Sequence, residues 1–266
     1  MKQGERNMNQ VTKKKSTELS VIDFEADASE FSAELTSDDF ALPFLNIIQN
    51  TSQQKKAGGG QIGDIFNSVT GEIHPGKDGV TVVPCFYERV YIEWADRDKG
   101  VGKPVNIYPL SWDLNSNTSL GSDGKTRYIN DNSGNYVEDT AQHYVMVVAR
   151  ENTYPALVAM KSSNLTTSRQ WNTMKQGNTA KNKNGQVYIK PDFSKMYQLS
   201  ASEITKGNYT WYVWKVQPGL DLSEKDMSLY KACRDFAKAA KAGAVNVEHG
   251  EDNTKASSVD LEQAPF

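Results

Sequence analysis

A mainly β (α+β) fold, built as an OB-like partly open barrel with long loop insertions, a mid-chain helix and a C-terminal helix, is the class this sequence predicts. Three observations lead there. Apolar and polar side chains alternate with period two along residues 86–94, the mark of a half-buried strand. Short runs rich in Val, Ile, Tyr and Trp recur through 80–216, broken by turns containing Gly, Asn and Pro. Only two stretches carry a helical period. A β-sandwich is the second choice, because alternation alone does not separate two packed sheets from one curled sheet.

The elements follow in order. Residues 1–40 read as a flexible acidic arm, with Lys13, Lys14 and Lys15 followed by acidic sequence of scattered apolar content. The first ordered segment is 42–48, and the polar, Gly-rich stretch 49–61 is a loop. Strands are expected at 80–84 and 86–94. In the second, Phe86, Val90, Ile92 and Trp94 face a core, while Tyr87, Arg89 and Tyr91 face solvent. Further strands are expected at 105–112, 127–129, 136–138, 144–150, 156–161 and 186–190. The segments 196–201 and 209–216 form a hairpin turning at Lys206, Gly207 and Asn208. Ser163 starts one helix, which runs to Lys175 with Leu165, Trp171 and Met174 as its apolar residues. Ser223 and Asp226 have capping-box spacing before a second helix. Its apolar stripe is Leu229, Cys233, Phe236 and Ala240, with Lys231, Arg234, Lys238 and Lys241 off the stripe as a solvated face.

Charge is segregated along the chain. The overall net charge of −3 divides into about −4 over 1–40, +5 over 41–247 and −4 over 248–266. A basic body between acidic arms suits a polyanion binder. Two cysteines far apart, Cys85 and Cys233, imply no disulfide framework and a reducing compartment. His74, His143 and His249 share no metal-ligand spacing with them, so no metal or other cofactor is expected. The N-terminus lacks the apolar stretch of a signal peptide and no run is long enough to span a bilayer, so a cytoplasmic protein without a membrane partner is expected.

The window 161–215 holds nine basic residues against Asp192 and Glu203, a net +7. Trp171, Tyr188, Phe193, Tyr197, Tyr209, Trp211, Tyr212 and Trp214 are interleaved with them. Single-strand binding needs this combination, since cations neutralise phosphates and bases stack on rings irrespective of sequence. The expected nucleic-acid-binding residues are Lys161, Arg169, Trp171, Lys175, Lys181, Lys183, Tyr188, Lys190, Tyr209, Trp211 and Lys215. Tyr87, Arg89 and Tyr91 of the solvent face of 86–94 join them. Along 209–216, the face bearing Tyr209, Trp211 and Lys215 is the one expected to be exposed. The loop 176–185 is polar and basic and could fold over a bound strand.

The last residues, 248–266, form a disordered acidic tail whose tip combines carboxylates with an apolar end. Asp260, Leu261, Glu262, Pro265 and Phe266 resemble the C-terminal tips of bacterial and bacteriophage single-stranded DNA-binding proteins. Gln263 and Ala264 interrupt the acidic run usual in that family. Gly63 to Ser68, Val83 to Arg89 and the Glu93-Trp94 pair also resemble bacteriophage proteins assigned to that role. The resemblance implies an OB fold and a part in DNA replication, recombination or repair in an infected cell. It also implies that the tip recruits a polymerase, helicase or recombinase. Without DNA, the tail would compete for the basic groove. The pattern also allows a homo-oligomer.

Enzymatic readings fare less well. Gly58 and Gly63 have phosphate-loop spacing, but Asp64 and Ile65 stand where Lys and Ser or Thr are required. Glu88, Glu93, Asp96 and Asp98 could hold a nuclease metal, yet neighbouring Arg89, Arg97 and Lys99 favour a solvated strand end. The expectation is therefore a non-catalytic, sequence-independent single-stranded DNA-binding protein. A structural or adaptor protein of a phage assembly is the alternative, and a metal-dependent nuclease the less favoured one.

Overall fold

The computed structural model describes residues 41–96, 102–149, 152–245 and 247. The expected acidic arm at 1–40 and acidic tail at 248–266 lie outside the described residues. The body is mainly β, organised on one curled, open, antiparallel sheet of eight strands. No described helix is long and apolar enough to cross a membrane.

The sheet is built outward from two long strands, β4 (Val80–Trp94) and β8 (Tyr136–Val148), paired from Val82 opposite Val147 to Trp94 opposite Tyr136. At the upper end of β4 the next strand is β12 (Lys195–Lys206), followed by β13 (Tyr209–Asp221). At its lower end β5 (Pro104–Pro109) takes the same side. Beyond β8 lie β9 (Thr153–Lys161) at the upper end, and β7 (Arg127–Ile129) then β6 (Thr118–Leu120) at the lower end.

Two pairs of expected strands are thus single strands. The segments expected at 80–84 and 86–94 are joined through a bulge at Cys85, where β4 steps from Pro84 (opposite Val145) to Phe86 (opposite Tyr144). A bulge is where a strand tolerates proline, which brings no N–H to the ladder. The bulge also switches side-chain parity. Val82 and Pro84 share a sheet face with Tyr87, Arg89, Tyr91 and Glu93, while Val83 shares the other with Phe86, Val90, Ile92 and Trp94. Likewise the segments expected at 136–138 and 144–150 meet in one strand, β8, which ends at Val148 and whose polar centre (Asp139, Thr140, Gln142, His143) hides the continuity; residue 150 lies outside the described residues.

Each face carries one helix. On the first, α3 (Asn164–Gln176) drives Trp171 into a core of Val80, Val82, Val145, Val147, Leu199 and Trp214. On the second, α4 (Met227–Lys241) lays its stripe down as the sequence predicts. Cys233 packs with Val83, Cys85 and Met146, and Ala240 with Tyr144 and Leu157. The expected capping box is formed by Ser223 and Asp226 around the short 3-10 turn Glu224–Asp226 that precedes α4. Both cysteines are free and buried in the same cluster, a proximity that their sequence separation conceals.

The loop expected at 49–61 contains a single helical turn, α1 (Gln53–Lys56), and a small sheet surrounds it: β1 (Leu45–Ile47), β2 (Ile65–Asn67) and β3 (Ile73–His74). A further turn, α2 (Leu114–Asn117), precedes β6. Gly79 enters β4 with φ +68°, and a Cβ there would lie 2.1 Å from the Leu199 carbonyl oxygen, so glycine is required. Edge strand β13 is closed by side chains. Gln49 both accepts from Tyr212 N–H (3.0 Å) and donates to its carbonyl (2.8 Å), and Trp214 is served in the same way by Asn164 (2.8 Å) and Thr167 (2.9 Å). Such capping blocks pairing with another chain at that edge.

Candidate nucleic-acid interface

The residues of the expected groove separate into a sealed set and an open set. Trp171 is fully buried, stacked on His143 (centroids 4.5 Å, 18° between planes) and edge-on to Tyr197. The expectation that it meets bases is corrected: the helical period of α3 turns this ring into the sheet. Lys175 is also buried and pairs with Asp192 at 2.9 Å, its ammonium lying 5.2 Å from the Tyr87 ring centroid. Tyr87 in turn packs against His143 at 4.9 Å. His143 bonds Ser168 Oγ at 2.8 Å, and burial, reinforced by Lys175, holds its pKa well below the usual imidazole value. That site is a closed structural cluster.

Three further corrections concern exposure. Trp211 is buried at 6% accessibility, so the face of β13 chosen as exposed is so only at Tyr209 and Lys215. Trp214 and Val216 on the opposite face are buried too, because a strand packed on both sides hides both of its faces. Lys161 is buried, ion-paired with Glu138 and placed over Trp94 on the second sheet face, away from Tyr87 and Arg89. Glu93, expected at a solvated strand end, is buried. It accepts from Asn106 (2.7 Å), Tyr108 (2.5 Å) and Asn135 (2.7 Å). Burial alone would raise its pKa, but these three donors outweigh burial and hold it below the usual glutamate value. The same burial, with the Glu93 bond, pushes the Tyr108 phenol up to about 12.

The open set is smaller. Arg89 and Asp139 form a half-buried two-armed ion pair that raises the guanidinium pKa. Beside it on the first sheet face, Tyr91 leans on Trp112 (6.3 Å), which stacks on Tyr108 at 4.0 Å with 7° between planes. Tyr108 lies directly across from Tyr91 in the β4–β5 register. Tyr108 and Trp112 were missed as site residues. Their run at 105–112 read as a strand, and only the register reveals which rings meet. Of the chain's five tryptophans, Trp112 alone is not buried.

The second open surface is a hairpin detached from the main sheet, β10 (Thr179–Lys181) and β11 (Val187–Ile189). Lys181 and Lys183 are exposed there and make no ion pair among the described residues, and Tyr188 is 48% exposed. No carboxylate occurs between Gln176 and Lys190. Lys190, at the hairpin root, shares Asp221 with Lys195, at 2.6 and 2.8 Å respectively, and together they lower the Asp221 pKa. Arg169 is exposed on α3, where its guanidinium donates to the Thr166 hydroxyl at 3.2 Å. The tail residues Asp260, Leu261, Glu262, Pro265 and Phe266 lie outside the described residues. No group of carboxylates, histidines and cysteines able to hold a metal occurs among the described residues.

The Pam3 phage gp34-like family of bacteriophage proteins matches residues 12–246, and the chain belongs to it. Neither the curated proteins nor the solved structures contain a match.

Proposed function

We propose that this phage protein binds single-stranded DNA without sequence preference and without catalysis, in replication or recombination in the host cytoplasm, with its acidic C-terminal tip recruiting partner proteins. The observation that carries this reading is the β10–β11 hairpin. It presents Lys181 and Lys183, without an ion pair among the described residues, beside an exposed Tyr188 in a stretch free of carboxylates. Phosphates are held by such lysines, and bases stack on open rings at about 1–3 kcal/mol each. Tyr91, Tyr108 and Trp112 supply a second stacking surface. The curled open sheet is compatible with an OB-like platform, which is part of the proposal.

The test is a titration with oligo-dT, read by anisotropy of a labelled oligonucleotide and by tryptophan emission. Because the other four tryptophans are buried, quenching by stacking reports on Trp112 and vanishes in Trp112→Phe while anisotropy still reports binding. Absence of binding at low salt defeats the proposal.

A structural or adaptor role in a phage assembly is the second reading. It is favoured by the burial of Trp171, Tyr197, Trp211 and Trp214 and by the ion pairs of Lys161, Lys175, Lys190 and Lys195. Under that reading oligo-dT leaves anisotropy unchanged.

A further inference from the structure

The β10–β11 hairpin stands apart from both cores, with one lysine-guarded edge and one bare edge. Its hydrogen bonds fix which backbone groups face outward. Asn182 N–H donates to the Gln186 carbonyl (2.9 Å) and Lys190 N–H to the Asn178 carbonyl (2.8 Å). Ala180 lies opposite Tyr188 in the same phase. Hydrogen-bonded and open pairs alternate along an antiparallel ladder. Tyr188 therefore turns its N–H and C=O toward β10, whereas Val187 and Ile189 turn theirs to the outer edge. Among the described residues no strand pairs with that edge.

The side chains of the same three residues are bare. Val187, Tyr188 and Ile189 are 64%, 48% and 50% exposed. A two-stranded ribbon alone is marginal in water, and an apolar edge with unmet backbone groups is a template for another strand. The two edges differ in charge. On the β10 side stand Lys181 and, just beyond it, Lys183, the residue type that discourages edge pairing. On the β11 side nothing between Gln186 and Lys190 is charged, and Lys190 is ion-paired with Asp221.

We infer that β11 pairs with β11 of a second copy of this chain, antiparallel about a two-fold axis through Tyr188. In that register Val187 lies opposite the partner's Ile189, and every outward N–H and C=O of both residues is met. Tyr188 faces the partner's Tyr188 across an open pair, and no like charges are opposed. A foreign strand would meet the same backbone, but a second copy always brings an uncharged Val-Tyr-Ile triplet to match. The two-fold closes the assembly, so pairing does not propagate into fibres. Three residues per strand make a small contact, which sets a weak, concentration-dependent dimer. The inference does not rest on the nucleic-acid reading, and it competes with base stacking for the same Tyr188 edge.

The full chain is tested without nucleic acid by sedimentation velocity over a concentration series, together with cysteine cross-linking by diamide, which oxidises two thiols to a disulfide. The expected result is a monomer–dimer equilibrium. Ile189→Pro deletes an outward N–H without touching the β10 ladder and raises the dissociation constant by about tenfold or more, with an unchanged melting temperature. Tyr188→Cys forms a covalent dimer because its mate is itself, whereas Val187→Cys does so far less. A protein that stays monomeric at all concentrations overturns the inference. So does a dimer indifferent to Ile189→Pro, or equal cross-linking at both positions. An uncross-linked Tyr188→Cys chain whose cysteine becomes protected from alkylation only when oligo-dT is added assigns the edge to nucleic acid and also overturns it.

Discussion

Replacing Lys181 and Lys183 together by alanine gives the most direct reading of how the protein meets a polyanion. Each phosphate contact on a single strand contributes about 0.7 to the slope of log affinity against log salt. Among the described cations of 161–215, Lys161, Lys175, Lys190 and Lys195 already face carboxylates. Lys181 and Lys183 do not, and they share one hairpin. Losing both should flatten the slope by about 1.4, so that wild type and variant differ by about sevenfold more at low salt than after a roughly fourfold rise in salt. The assay is anisotropy of labelled oligo-dT across a salt series. Lys190→Ala is the control: it removes a single cation that is ion-paired with Asp221, and should leave the slope nearly unchanged. A double variant with the wild-type slope, or a Lys190→Ala effect of equal size, would refute the assignment of phosphate contacts to the hairpin.

Two further expectations concern the frame that holds these surfaces. Glu93→Gln offers one acceptor and one donor where three donors converge, so it should cost about 1–3 kcal/mol at neutral pH. Because the folded pKa of Glu93 is depressed, its contribution is present above the unfolded carboxylate pKa and is lost as pH falls through the folded one. Urea midpoints of wild type and variant should therefore converge in acid, and a constant gap would count against the carboxylate network. Gly79→Ala should destabilise by more than about 2 kcal/mol, combining a left-handed backbone with a clash at Leu199. Gly58→Ala, with φ +74° and open space around it, isolates the backbone part at about 1–2 kcal/mol. Equal melting shifts for the two would show that the Leu199 contact is unimportant.

Much of the architecture was legible because it is local. The capping box at Ser223 and Asp226, the stripe from Leu229 to Ala240 and the hairpin at Gly207 depend on neighbours a few residues apart. What failed depends on partners distant in the chain. Whether Trp211 is open is decided by packing that no period-two pattern along 209–216 displays. Lys175 looks like a free cation until Asp192 is folded against it. The meeting of Tyr91 with Tyr108 and Trp112 is a matter of register between strands. The side-chain caps of Gln49, Asn164 and Thr167 on β13 left no trace, since a polar residue in a loop or first helical turn looks ordinary until its partner is known.

The extra residue at Cys85 has a consequence for how the sequence can change. It acts as a phase shifter in the longest strand. Above it even-numbered positions look toward α3, and below it odd-numbered positions do. Removing Cys85 itself would leave Pro84 and Phe86 adjacent with their present partners, Val145 and Tyr144, and strict alternation would keep each side chain of the lower limb on its present face. The bulge is thus the one point in this strand where the chain can lose a residue without exchanging inside for outside, whereas a register slip of one residue in either limb would turn its apolar set to the wrong face.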